Sequence, residues 1–142
     1  MNRFPLSTHR RSLLAASLLV AAFLAGCATT GGASSPDQVV GKRAQERWDL
    51  LLKSDYSKAY DYLSPAQRAV ASRQSYINRF GEGAQWLSAK LQSVSCESNE
   101  RCNAVLQIET QVVARGFNAP ITTKVTEIWV NDEGNWWFHQ NP

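Results

Sequence analysis

Apolar residues recur at two different periods along this chain, and the switch between them divides it. In the first half Val40, Ala44, Trp48, Leu51 and Leu52 follow one another at helical spacing and form a single stripe. Lys42, Arg43, Glu46, Arg47 and Asp49 read as the solvated side of the same helix. Ser35-Pro36-Asp37-Gln38 stands just before the stripe. It combines an N-cap serine, proline at the first helical position, an acid in the first turn and glutamine at the capping-box position. A helix is therefore predicted from Pro36 to near Lys53. Ser54 or Asp55 then caps a shorter helix carrying Tyr56, Ala59, Tyr60, Tyr62 and Leu63. Ser64-Pro65-Ala66-Gln67 repeats the cap chemistry. Ser72 opens a further short helix with Tyr76, Ile77 and Phe80, closed by Gly81-Glu82-Gly83.

Beyond that point the period becomes two, as in strands with one buried face. Leu87, Ala89 and Leu91 alternate with Ser88, Lys90 and Gln92, and the pattern then slips to Val94 and Cys96, predicting a bulge near Gln92-Ser93. Cys102, Ala104, Leu106, Ile108 and Val112 form the inner face of a second strand. Gly116-Phe117-Asn118-Ala119-Pro120 reads as a turn, Ile121 to Val130 as a third strand, and Asn131-Asp132-Glu133-Gly134 as a hairpin loop before a last strand, Trp136 to His139. Helices first and hairpin-linked strands afterwards predict an α+β fold, with an antiparallel sheet of about four strands curling over the N-terminal helices.

The first 26 residues differ from both halves. Arg3, Arg10 and Arg11 precede an apolar run from Leu13 to Leu24, too short to span a bilayer comfortably, which takes roughly 20 apolar residues. The run ends in Leu24-Ala25-Gly26-Cys27, which resembles the lipobox of bacterial lipoproteins. The resemblance implies cleavage before Cys27, acylation of its thiol and new amine, and nearly permanent membrane anchoring, since each buried methylene contributes about 0.8 kcal/mol. Ala28 after the cysteine, where aspartate would favour the inner membrane, implies the outer membrane and its periplasmic face. The alternative is an ordinary cleaved signal with an accidental cysteine. His9-Arg10-Arg11-Ser12 also looks somewhat like a twin-arginine export motif. The organisation expected is a signal over 1–26, the lipidated cysteine and a tether over 27–35 with a reach of about 15 Å, and one α+β domain over 36–142.

Removing that signal changes the charge. Three of the 15 Lys and Arg lie in it, so the remainder balance the 12 Asp and Glu. The net charge of +3 therefore points to no nucleic-acid partner, and no basic stripe with interleaved aromatics is present. With Cys27 lipidated, Cys96 and Cys102 remain, flanking a polar stretch suited to a loop between strands. An oxidising periplasm favours a structural disulfide there, over a metal site lacking a second ligand pair or a redox dithiol, which is usually closer spaced.

Trp48-Asp49-Leu50-Leu51-Leu52-Lys53-Ser54-Asp55-Tyr56-Ser57-Lys58-Ala59-Tyr60 with Leu63-Ser64-Pro65, and Ile128-Trp129-Val130 through Gly134-Asn135-Trp136-Trp137-Phe138, resemble the opening and the tryptophan hairpin of small secreted members of the nuclear transport factor 2-like superfamily. The resemblance covers about Pro36 to His139. It implies a cone with a long N-terminal helix in the concave face of a bent sheet. The superfamily holds isomerases, dehydratases, cyclases and ligand binders, so the fold does not choose an activity.

Candidate chemistry is sparse, with no cofactor motif, nucleophile–base pair or metal cluster. Glu127 shares the alternation of Ile121, Val125 and Trp129, so an unbroken strand points it inward, where a raised pKa would suit a general base. A bulge between Val125 and Ile128 would instead turn it to solvent. His139 is the one histidine after the signal and reads first as an exposed terminal residue, second as a catalytic group. Asp55 and Asp61 read as helix caps or surface groups. Trp48, Tyr60, Tyr76, Trp86 and Trp129 are either core or pocket walls. Trp136, Trp137 and Phe138 occupy both faces of the last strand, which predicts exposed rings covered by a second copy or by another envelope protein. The functional expectation is a membrane-anchored periplasmic binding or interaction module, with a small-molecule enzyme using Glu127 or His139 as the alternative.

Overall fold

The first helix, α1, spans Pro36–Leu52 in the computed structural model, which describes residues 34–80, 84–112 and 119–140. The lipobox Leu24–Cys27, most of the tether, the Gly81-Glu82-Gly83 stop and the Gly116–Asn118 turn lie outside the described residues. Pro36 takes the first helical position, and the Ser35 N–H donates to Gln38 Oε1 at 3.2 Å, one arm of the capping box. Three short helices follow: α2 (Tyr56–Tyr60), α3 (Pro65–Val70) and α4 (Arg73–Ile77). Each is opened by a side-chain oxygen that accepts from a backbone N–H three residues on: Asp55 from Lys58, Ser64 from Gln67, Ser72 from Ser75. Each such cap stabilises its helix by about 1 kcal/mol, which matters most for pieces too short to persist alone.

Four antiparallel strands make one open sheet in chain order: β1 (Ala84–Ser98), β2 (Arg101–Val112), β3 (Ile121–Asp132) and β4 (Asn135–His139). The fold is α+β. β2 and β3 pair without interruption from Arg101 opposite Val130 to Thr110 opposite Ile121. β1 carries the irregularities. Its register shifts between Trp86 and Ser88, between Leu91 and Ser93, and between Cys96 and Ser98. The middle shift lies where the hydrophobic alternation slips. The first was not legible and corrects the expected inner face, because Leu87 at the shift is about half exposed while Ala89 is buried. The β3–β4 connection is tighter than four residues. Glu133 and Gly134 both take positive φ, 51° and 80°, as a two-residue hairpin turn requires.

Cys96 and Cys102 face each other across the β1–β2 pair and form a disulfide. Closing this short loop constrains the unfolded chain by about 2 kcal/mol in the chain-entropy account.

The core lies between α1 and the sheet. Val40, Ala44, Trp48 and Leu51 from the helix meet Cys102, Ala104, Leu106 and Ile108 from β2 and Trp129 from β3, all buried. Where α1 crosses β1, Gly41 packs under the Leu91 and Val94 side chains; a Cβ there would lie 2.9 Å from a Leu91 methyl, which would have to shift to admit it.

The two outer strands are engaged from within the chain by unequal means. On β4, the segment Tyr62–Ser64 adds a short parallel bridge: Phe138 N–H donates to Tyr62 at 2.8 Å, and Ser64 N–H donates to Phe138 at 3.2 Å. On β1, the Gln45 carboxamide acts as a one-residue strand. Its Nε2 donates to the Ala89 carbonyl at 3.0 Å and its Oε1 accepts the Leu91 N–H at 2.9 Å. Gln45→Ala removes both bonds and is expected to lower unfolding free energy by about 1–2 kcal/mol in urea titration. A loss within experimental error would show that the strap contributes nothing.

Candidate functional site

Glu127 sits on the uninterrupted stretch of β3, so no bulge turns it away, and its side chain points into the core at 3 % exposure. Three donors meet it. Arg47 Nη1 and Trp48 Nε1 both donate to Oε1, the latter at 2.8 Å, and Trp129 Nε1 donates to Oε2 at 3.2 Å. Arg47 also donates through Nη2 to the Tyr76 hydroxyl at 3.2 Å, and its guanidinium lies 3.9 Å from the centre of the Phe138 ring. Burial pushes the Glu127 carboxyl above the ordinary glutamate range, against the pull of Arg47 and the two indole N–H groups.

The placement of Arg47 corrects the expected solvated face of α1: it is 5 % exposed. The apolar series Val40, Ala44, Leu51 passes through position 47 at the helical steps of four, three and four, so Arg47 lies within the buried stripe. Arg43, one turn earlier, is also drawn toward the sheet. Its guanidinium lies 4.9 Å from the Tyr62 ring centre and 5.4 Å from that of Trp137. The missed signal was pairwise. An inward carboxylate on β3 requires a buried cation, and α1 offers arginines next to its stripe.

Above the Arg47–Glu127 pair opens a cleft of about 230 Å³. Trp48, Leu51, Phe80, Trp86 and Phe138 wall it, Glu127 and Arg47 floor it, and Val125, Thr126, His139 and Gln140 reach its rim. Glu127 and His139 thus border one space. They do not form a pair, because His139 stands opposite Ile128 and leaves the sheet from the face opposite Glu127. His139 also borders a second cleft of about 290 Å³, between α3, α4 and the end of β4, lined by Leu63, Gln67, Val70, Ala71, Tyr76 and Arg79.

The remaining candidates divide between wall and core. Trp86 is partly exposed in the cleft and meets Trp48 edge-on at 5.4 Å between ring centres. Tyr60, Tyr76 and Trp129 are core residues, Tyr60 donating its hydroxyl to the Ala71 carbonyl at 2.8 Å. Asp55 caps α2 and pairs with Lys58 at 2.6 Å, which holds its carboxyl below the usual range; Asp61 pairs with Arg73 at 2.6 Å. Trp136 and Phe138 are buried within the chain, which corrects their expected exposure; Trp137 stays partly exposed, with the Arg43 and Arg68 guanidinium groups 5.4 and 4.9 Å from its ring centre. Among the described residues no group of three or more His, Cys, Asp or Glu is placed to hold a metal, and no helix is long and apolar enough to cross a membrane.

A carboxylate held by one guanidinium and two indoles is a fixed polar floor. Arg47→Met leaves a buried unpaired carboxylate and is expected to cost about 3–5 kcal/mol. Combined with Glu127→Gln, it should cost at least about 1 kcal/mol less than the two single losses summed. Strict additivity in urea titrations would show that the two side chains do not act together. The folded carboxyl holds its proton to higher pH than the unfolded one. Glu127's contribution to stability is therefore full below about pH 4.3 and falls as pH rises through the folded value. The stability–pH curve of Glu127→Gln should lack that fall.

No family model matches this chain, and no curated protein sequence does. Among solved structures it is similar to the solution structure of a SEC-C motif containing protein from Rhodopseudomonas palustris, with a TM-score of 0.54 and 13 % identity, covering 69 % of this chain and 73 % of that one. At that identity the likeness shows the fold alone: helices packed on an open antiparallel sheet.

Proposed function

We propose that this protein is an outer-membrane-anchored periplasmic lipoprotein whose domain has the cone form of the nuclear transport factor 2-like superfamily and binds a small, flat, apolar molecule in the Trp48–Trp86 cleft. The anchor reading rests on Leu24-Ala25-Gly26-Cys27 and on the apolar run before it. The binding reading rests on one observation: the carboxyl at the cleft floor is already engaged by Arg47 and two indole donors, while the walls are aromatic. Such a floor, its oxygens already hydrogen-bonded, orients a ligand held by the aromatic walls. At about 230 Å³ the space suits one small ring system, below the size usual for drug-sized ligands.

A second reading, an isomerase, dehydratase or cyclase type of enzyme, draws on Glu127 and His139 bordering one cleft. Deuterium uptake from heavy water into an enolisable ketone, lost in Glu127→Gln while probe binding persists, would establish that reading in place of the first.

Two measurements test the proposal. Cys27→Ser should lose incorporation of labelled palmitate and move the protein from the membrane pellet to the soluble fraction. An unlabelled native protein would overturn the anchor. Titration of the full chain with anilinonaphthalene sulfonate should saturate with quenching of indole emission, and Trp86→Ala should weaken it by about tenfold, the effect of losing one aromatic wall. Affinity unchanged in both Trp86→Ala and Phe80→Ala would overturn the cleft as the binding site.

A further inference from the structure

β3 is longer than the strand that covers it. β4 pairs only with Ile128–Asp132, so among the described residues nothing pairs with Ile121–Glu127 on the side away from β2. Every residue from Ile121 to Thr126 is exposed, and Ile121 and Val125, at 38 % and 36 %, are two of the exposed large apolar side chains. The stretch Ile-Thr-Thr-Lys-Val-Thr is rich in β-branched residues, and β3 has neither bulge nor internal proline to spoil pairing. The other two edges are each engaged from within the chain, β1 at Ala89 and Leu91 by the Gln45 carboxamide and β4 at Phe138 by the Leu63 bridge.

We infer that this edge pairs with the same edge of a second copy, antiparallel about a two-fold axis through Thr123, joining two sheets into one of eight strands. The sequence is self-complementary in that register. Ile121 of each copy stands against Val125 of the other, which covers the exposed apolar groups on both sides. Thr122 stands against Lys124. Because Thr122 is itself opposite Glu109 on β2, each Lys124 lies in one cross-strand row with Glu109 of the other copy, on the same face. Shifting the axis by one residue to Lys124 would set the two lysines directly opposite each other, so charge selects the register. The contact is isologous, so the edge is used up once two copies have met. Val125 also reaches the rim of the cleft, so the paired edge would border that opening.

Sedimentation velocity on the full chain in detergent should show a shift from monomer to dimer as concentration rises. Lys124→Glu should weaken dimerisation by roughly threefold or more, since both symmetry-related rows change from attraction to repulsion across one intervening strand. Lys124→Glu together with Glu109→Lys should restore it. Thr123→Cys should crosslink two copies under mild oxidation faster than Lys124→Cys. A native protein that stays monomeric to high micromolar concentration overturns the inference and leaves the edge to a strand from another protein. A dimer indifferent to Lys124→Glu and not crosslinked through Thr123→Cys overturns it equally.

Discussion

An arginine enters an apolar interface only where something there takes up its charge, and in this domain Glu127 does so for Arg47. The pair joins positions 80 residues apart in the chain and spans the gap between α1 and β3. Its reach is wider than two residues. The same carboxylate fixes the indole N–H groups of Trp48 and Trp129, and the same guanidinium holds the Tyr76 hydroxyl on α4. The rotation of α1 on the sheet, the orientation of two large rings and the seat of α4 therefore share one polar contact. An apolar substitute of equal volume would pack the helix as tightly, but it would not choose among neighbouring rotations.

That contact also determines what the cleft is. A carboxylate alone at the floor would be a base in waiting. A carboxylate with three of its acceptor positions taken is scaffolding with a polar surface, and the aromatic walls then dominate what the cleft accepts. The opening survives because β4 stops at His139, while β3 continues past it. The short final strand thus creates two features at once, an open cleft on the helix side and an uncovered edge beside it.

Much of this was legible in the sequence, and the parts that were not share a cause. Helix starts were readable because capping is local: Ser35, Ser64 and Ser72 act within three residues of themselves. The inner face of β2 was readable because that strand is regular, and the Cys96–Cys102 bond because it links neighbours across one hairpin. Leu87 was misplaced because a bulge is a property of two strands together. Arg47 was misplaced because its burial depends on Glu127, and charge on a helix says nothing about a carboxylate far along the chain. The burial of Trp136 and Phe138 was not legible because it depends on how the helices pack on the sheet, which the sequence does not give.

The Gln45 strap depends on both ends of one amide. An amide can serve as a strand because it both gives and accepts, and slow hydrolysis of that amide to a carboxylate, with loss of ammonia, removes the giving half. The product would set an oxygen against the Ala89 carbonyl and a second negative charge beside Asp49, whose carboxylate now accepts from the same nitrogen at 2.9 Å. Deamidated protein would then differ from intact protein by almost no mass and by one lost hydrogen bond to β1.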